Sequence, residues 1–544
     1  MSITRRLAHT APIILFTARL LSAQANAPAS HAPHQELGTV HFPTSCARSV
    51  APRFDRAVAL LHSFEFAGAI TSFNDVLASD STCAMAYWGI ALSRWSNPIL
   101  AGARSPAQLR PGKDAADAAR RLSGHATDRE RGYINAVSKL YDDYENTNQR
   151  SRIVAYEQAM AAVVAAQPAD TEAKLFYAAA LVASAPPEDK TFANQRKAGA
   201  ILEPIFAKHP NHPGVAHYII HAYDVPPLAT NAEVAARRYA LIAPASAHAL
   251  HMPSHTFTRV GWWKESARTN LRAIESARTE GAITEALHAS DYAMYAYLQM
   301  RNDSAARRIM RGVPALAARF DVNAIGSGGP GAAGVYALAA IPARFALERR
   351  AWGEAAALTP TASDYPWTAG ITYFVRALGG VHTGDLANAR ASLDSLAVIR
   401  DRLGAKGEAY WSEQVAIQHL GALAWLRWAE HRPDSALSIM REAARREDAT
   451  EKSIVTPGPL APARELLGDM LLDLGRPREA LDEYRATLLK EPNRFHALCG
   501  AFDAAAALGD RREATKFSTQ LRTLTGIDGS CRLDGGRGMG DGGR

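Results

Sequence analysis

Small residues return at a fixed interval near the C-terminal end, and that interval limits what the chain can fold into. Between Arg464 and Asn493, Gly468, Gly475, Ala480, Tyr484 and Pro492 follow one another at steps of seven, five, four and eight positions. The spacing predicts a helical hairpin. Gly475 ends a first helix, Ala480 lets a second helix cross it closely, and Pro492 opens the next unit. The Gly-to-Ala step recurs one unit later at Gly509 and Ala514. It appears again at Gly384 and Ala389, with Ala355 one unit upstream of Ala389. Weaker copies centre on Ala436, on Gly261 with Ser266, and on Ala69.

These offsets resemble the tetratricopeptide repeat (TPR) family. The resemblance implies an all-α fold, a right-handed superhelical array of helical hairpins (an α-solenoid) whose concave groove takes a protein or peptide. Composition agrees with helix: the apolar fraction is 47%, alanine is abundant, and β-branched residues are scattered. Residues 101–200 carry helical patterns without clear repeat punctuation. A Gly-rich run at 321–334 (DVNAIGSGGPGAAG) reads as a hinge or loop, dividing an N-terminal array at 41–320 from a C-terminal array at 335–525. The run GSGGPG lacks the strand-loop-helix context of a phosphate loop.

Residues 1–27 read as a secretory signal peptide. Arg5 and Arg6 form a positive start, Ala11 to Ala18 an apolar core, and Ala25-Asn26-Ala27 a small-residue cleavage site. Residues 28–40 read as a disordered mature N-terminus and 526–544 as a Gly-rich tail. The expected location is therefore periplasmic or extracellular, with no membrane span. The formal charge of +7 falls to +4 without Arg5, Arg6 and Arg19, and the remainder is spread without a Lys/Arg block, so no nucleic-acid partner is expected. Four cysteines form two local pairs, Cys46 with Cys83 and Cys499 with Cys531. In an oxidising compartment these predict two disulfides.

One region departs from scaffold. Of eighteen histidines, seven lie between His209 and His255, in HPNHPGVAHYIIHAYD and SAHALHMPSHTF. Pro213 suits a first helical turn, so His217 and His221 share one helix face with Asp224 beyond them. His251 and His255 are again four apart, with His248 before them, and Pro253 is expected to start a helix. Downstream, His288 and Asp291 share a face. Imidazole is the commonest metal ligand near neutral pH. His217, His221, His251 and His255 are thus the candidate ligands of one transition-metal ion (zinc, copper or iron), with His248, His288, Asp224 and Asp291 as further ligands or orienting groups. The competing reading is a buried polar network without metal. The two histidine runs also resemble those of a group of exported bacterial TPR-like proteins, which implies that they form one unit and implies no activity.

No HExxH, GxSxG or phosphate-loop motif accompanies them. The sequence therefore points first to an exported TPR-like scaffold that binds a protein or peptide and carries a histidine-rich site. The alternatives are a metal-dependent hydrolase or oxidoreductase, and a periplasmic metal carrier. A closed four-ligand site would argue for structure and an open one beside a pocket for catalysis.

Overall fold

The computed structural model describes residues 37–99, 104–361 and 363–526. The expected signal peptide and the tail beyond Gly526 lie outside these residues, as does Cys531 of the second cysteine pair. Among the described residues every regular element is helical. Successive helices pack against their neighbours in sequence, giving a TPR-like array of hairpins from Ala51 to Thr525.

The repeat residues act as their spacing predicts. Ala69, Ser266, Ala389, Ala436 and Ala480 are fully buried where paired helices cross. The Tyr484 ring of helix Pro477–Lys490 fills notches left by two glycines. A Cβ on Gly468 would lie 2.7 Å from that ring, and one on Gly500 2.1 Å from it. Gly475 sits at φ +69°, a left-handed turn that glycine adopts without steric cost. The unpunctuated stretch 104–200 folds into the same kind of hairpins, with Ala116, Ala119, Ala136 and Ala178 buried in the crossings.

Two boundaries differ from the sequence reading. Residues 37–40, expected to be disordered, pack onto the array: Leu37 is buried, and Thr39 donates its backbone N–H to the Asn211 carbonyl at 3.0 Å. The Gly-rich run ends at Pro330, because Gly331 already begins helix Gly331–Leu347. Close packing takes up the last part of the run, since a Cβ on Gly334 would stand 2.4 Å from the Phe320 ring.

The two halves are not strung out from a hinge. Helix Ile283–Gln299 is buried along nearly its whole length and takes contacts from the C-terminal array. Gln299 accepts the Phe495 backbone N–H at 2.9 Å, Tyr292 donates to the Thr456 carbonyl at 3.2 Å, and Trp263 donates to the Asn493 carbonyl at 2.9 Å. A buried ion pair, Arg344 to Asp291 at 2.9 Å, ties the same helix to helix Gly331–Leu347. The C-terminal array thereby closes over the middle of the chain, where the histidines lie. At the opposite end, Cys46 and Cys83 form the expected disulfide across 37 residues. No helix among the described residues is long and apolar enough to cross a membrane.

Candidate metal centre

Six imidazoles gather in the middle of the array, in two sets of three. His217, His221 and His248 form one set, and His251, His255 and His288 the other. Within each set one ring nitrogen per residue lies within 4.8 Å of the other two. All six side chains are buried. The four principal candidates are thus brought into one region, but they fall into two clusters rather than one. Each i, i+4 pair recruits its own third histidine, His248 for one and His288 for the other.

Local structure explains the placement. His217 and His221 ride one face of helix Pro213–Ala222, which Pro213 opens. Pro253 opens a helix as expected, but not the first one here. A short helix, Ala247–His251, runs into Pro253–Arg259 through Met252, whose helical φ and ψ (−53°, −34°) keep His251 and His255 on one face. His248, one turn before His251, points the other way along the row, towards His217 at 5.0 Å between ring centres. His288 comes from helix Ile283–Gln299 and lies 4.5 Å from His251.

The outer ring nitrogens are tied down. His217 Nδ1 donates to the His62 carbonyl at 2.6 Å, and His251 Nδ1 donates to Asn270 Oδ1 at 2.7 Å. His255 Nδ1 donates to Asp224 Oδ2 at 2.8 Å, and His248 Nδ1 faces both Glu285 oxygens at 3.2 and 3.3 Å. The Asn270 amide is itself fixed, because its Nδ2 donates to the Ser266 carbonyl at 2.7 Å. In each of these four rings the proton sits on Nδ1, so the Nε2 lone pair faces inward. Such outer hydrogen bonds are the usual way a protein sets the tautomer and direction of a ligating histidine.

What the inner nitrogens meet is unusual. Among the described residues, His217 Nε2, His248 Nε2, His288 Nδ1 and both ring nitrogens of His221 are buried without a hydrogen-bond partner. Buried polar atoms are rarely left so. In the second set, His251 Nε2 and His255 Nε2 are 3.1 Å apart. With both Nδ1 atoms donating outward, that contact sets two lone pairs face to face, which is repulsive unless a cation lies between or beside them. A shared proton is disfavoured. Burial lowers the pKa of His251 to about 3 and also lowers that of His255, against the pull of Asp224. His217, His221 and His288 are held well below the ordinary imidazole value by burial and by neighbouring imidazoles, above all His221, His255 and His251 respectively.

The carboxylates stand behind the histidines. The expectation that Asp224 sits beside His217 and His221 is corrected, because it serves the other set: it holds His255 and pairs with Arg259 at 2.9 Å and Lys452 at 3.5 Å. Burial opposes its charge, and the two cations with His255 hold its pKa well below the carboxylate range. Asp291 joins neither set: its Oδ1 accepts from Arg344, and its Oδ2 is buried without a partner among the described residues. Glu285 was not foreseen. It lies three positions before His288, on the same face, and is fully buried. Its partners are His248, the Ser327 hydroxyl at 3.3 Å and the Gly329 N–H at 2.7 Å. The Gly-rich run thus lies against the site, and a Cβ on Gly328 would come within 2.3 Å of the His248 ring.

Two more groups escaped the sequence reading. His62 Nε2 donates to Glu172 at 2.8 Å and His212 Nε2 at 3.0 Å, while Tyr218 donates to His62 Nδ1 at 3.0 Å. These groups hydrogen-bond to one another behind His217, and His212 Nδ1 is left buried without a partner among the described residues. Phe64, at φ +54°, lays its ring over the first set, 4.3 Å from His217 and stacked on His221 and His248 at 5.6 and 5.7 Å. A signal for the paired sets was present in the sequence. His217 and His251 are separated by the same interval as Gly475 and Gly509, and so are His221 and His255. That interval is the repeat length itself. The two i, i+4 pairs are the same position in successive repeats, while His248 and His288 are not related by that interval.

No family model matches the chain, and no curated protein matches it in sequence. Among solved structures it is similar to a monomeric mutant of IFIT1 with Gppp-AAAA, at 12% identity and a TM-score of 0.38, over 81% of this chain and 90% of that one. It is also similar to yeast Tom70, at 11% identity and a TM-score of 0.33, over 86% and 96%. Likeness at this level carries no functional argument, and the fold assignment rests on the hairpins themselves.

Proposed function

We propose that this protein is an exported, metal-dependent enzyme in which a TPR-like array is the frame and the two histidine sets are the metal sites. The observation that carries the reading is the 3.1 Å contact between His251 Nε2 and His255 Nε2, two lone pairs directed at each other in a buried space. The unpartnered nitrogens of His217, His221, His248 and His288 support it. Each set offers three nitrogens, and the nearby carboxylates are engaged elsewhere. An ion held there keeps a coordination position for water or substrate, as catalytic sites do and closed structural sites do not. The chemistry is hydrolytic or oxidative. The Cys46–Cys83 disulfide supports export.

Elemental analysis of the untagged protein beside a His217→Ala/His251→Ala double variant tests this. Near-stoichiometric transition metal in the wild type and little in the variant is the expected result. Wild-type protein that is isolated metal-free, and that takes up neither zinc, copper nor iron, would leave a polar core instead.

A second reading, a scaffold for a protein or peptide, draws on a groove in the C-terminal array. There Trp367 and Trp411 stack at 4.1 Å beside Tyr336 and Tyr410. It predicts that Trp411→Ala abolishes partner capture and leaves the metal content unchanged.

A further inference from the structure

We infer that the two histidine sets work as one centre, a pair of copper ions that binds dioxygen between them. The inference rests on the metal-binding reading above and goes beyond it in the number of ions, their identity and their ligand.

The number follows from the repeat. Equivalent positions of successive hairpins lie side by side, and here no other layer separates them. His221 of one set is 6.1 Å from His255 of the other, and His248 is 6.0 Å from His251, ring centre to ring centre. His248 and His251 even share the short helix Ala247–His251. Each set is complete by itself, with one histidine backed by a carboxylate (His248 by Glu285, His255 by Asp224) and one backed by a neutral oxygen (His217 by the His62 carbonyl, His251 by Asn270). Two ions placed within these sets are close enough for one small ligand to touch both.

The ligand chemistry selects the metal. All six donors are imidazole nitrogens. Among the described residues no carboxylate enters either set, which disfavours the two-histidine, one-carboxylate arrangement of non-haem iron(II) oxygenases. Imidazole sites bind copper most tightly among the divalent first-row ions. Burial adds to this, because a neutral three-nitrogen set in a low-dielectric interior carries a monovalent ion at less desolvation cost than a divalent one. Glu285 supplies a waiting countercharge. It is fully buried, its hydrogen-bond partners are His248, Ser327 and Gly329, and no Lys or Arg among the described residues pairs with it.

The surroundings select the ligand. The six rings are too buried for a large substrate to reach the ions directly. An apolar cavity lined by Leu61, Leu92, Trp95, Phe176 and Tyr218 has Phe64 as part of its wall, and the same ring covers the first set. A cavity of that lining beside the site suits a small apolar molecule. On binding, each copper(I) gives up one electron and dioxygen takes both. Its O–O bond order falls from two to one, both ions become copper(II), and no proton is needed. Reversal returns two copper(I) ions and free dioxygen.

The test loads the full-length, metal-free protein with copper(I) under anaerobic conditions, then admits dioxygen. Two coppers per chain, uptake of one dioxygen per two coppers, and an oxidised form nearly silent in electron paramagnetic resonance (because the two spins couple) are the expected results. His221→Ala and His288→Ala, one from each set, should each keep one copper, lose dioxygen uptake and show an isolated copper(II) signal after oxidation. Zinc-loaded wild type should take up none. One copper per chain in the wild type, two that take up no dioxygen, or an oxidised form that gives the full signal of two isolated copper(II) ions, would each overturn the inference while leaving the metal-binding reading standing. A wild-type protein that binds no metal would sink both. Because the wild-type measurement decides the matter, misfolding of either variant does not protect the proposal.

Discussion

The hairpins around Tyr484 and those around His251 are built on the same repeat, yet they fill the space between helices in opposite ways. In the C-terminal unit a tyrosine ring drops into the notches of Gly468 and Gly500, its hydroxyl satisfied by Asp469 at 2.7 Å. In the middle unit Asn270 stands at the position of Tyr484 and holds His251, and the imidazoles pack beside it, several with nitrogens that meet no partner among the described residues. The first arrangement is a finished core. The second is a core that carries a polar cost, which tertiary packing on both sides tolerates and which a bound cation would relieve. A repeat fold can thus hold a reactive interior because each unit needs only its neighbours to stay folded.

Acid separates the two regions most sharply. Burial depresses the pKa of His217, His221, His251 and His288 in the folded protein, so below the unfolded value of 6.5 the unfolded chain binds protons that the folded chain refuses. Their contribution to stability is full above that pH and is lost as pH falls. For any one imidazole that stays neutral in the fold, the loss approaches about 1.4 kcal/mol per pH unit below that value. Thermal unfolding of metal-free protein between pH 7.5 and 5 should show a steep fall in Tm, delayed to lower pH when the sites are loaded. A flat profile would mean that the imidazoles are protonated without cost, and the contrast with the tyrosine core would fail.

Removing the tyrosine ring should cost about 3–5 kcal/mol, the usual range for deleting a buried aromatic side chain. Tyr484→Ala followed by guanidinium denaturation measures this, and metal content should be unchanged because the ring lies outside both histidine sets. Metal loss in that variant would show that the two regions are coupled more tightly than nearest-neighbour packing predicts.

The smallest effect tests the likeness between the two sets. Asp224→Asn should weaken the ion of the His251, His255 and His288 set by about 10–100-fold, and Glu285→Gln that of the other set by a similar factor, since each removes one orienting carboxylate. Titration with competing chelators resolves the two affinities. If either substitution weakened both sites equally, the sets would not be separate units.

Sequence by itself determined the hairpins, because their causes are local. A left-handed turn needs Gly475, a close crossing needs Ala480, and both recur at the repeat length. The Cys46–Cys83 bond and the i, i+4 histidine pairs were legible for the same reason, since loop closure and helical period act within one segment. Tertiary structure alone decided how the histidines divide. Which third imidazole joins each pair depends on how helix Ile283–Gln299 crosses the short helix Ala247–His251, and no local pattern encodes that crossing. The exchange of carboxylates has the same origin. Asp224 lies beyond the helix of His217 and His221 but reaches His255 of the next repeat, and Asp291 is taken by Arg344 from a later helix. Glu285 and the Gly-rich run at Gly328 met His248 only through folding. Side chains on successive repeats are neighbours in space whatever their distance along the chain, so the composition of the site was written in the sequence and its partition only in the packing.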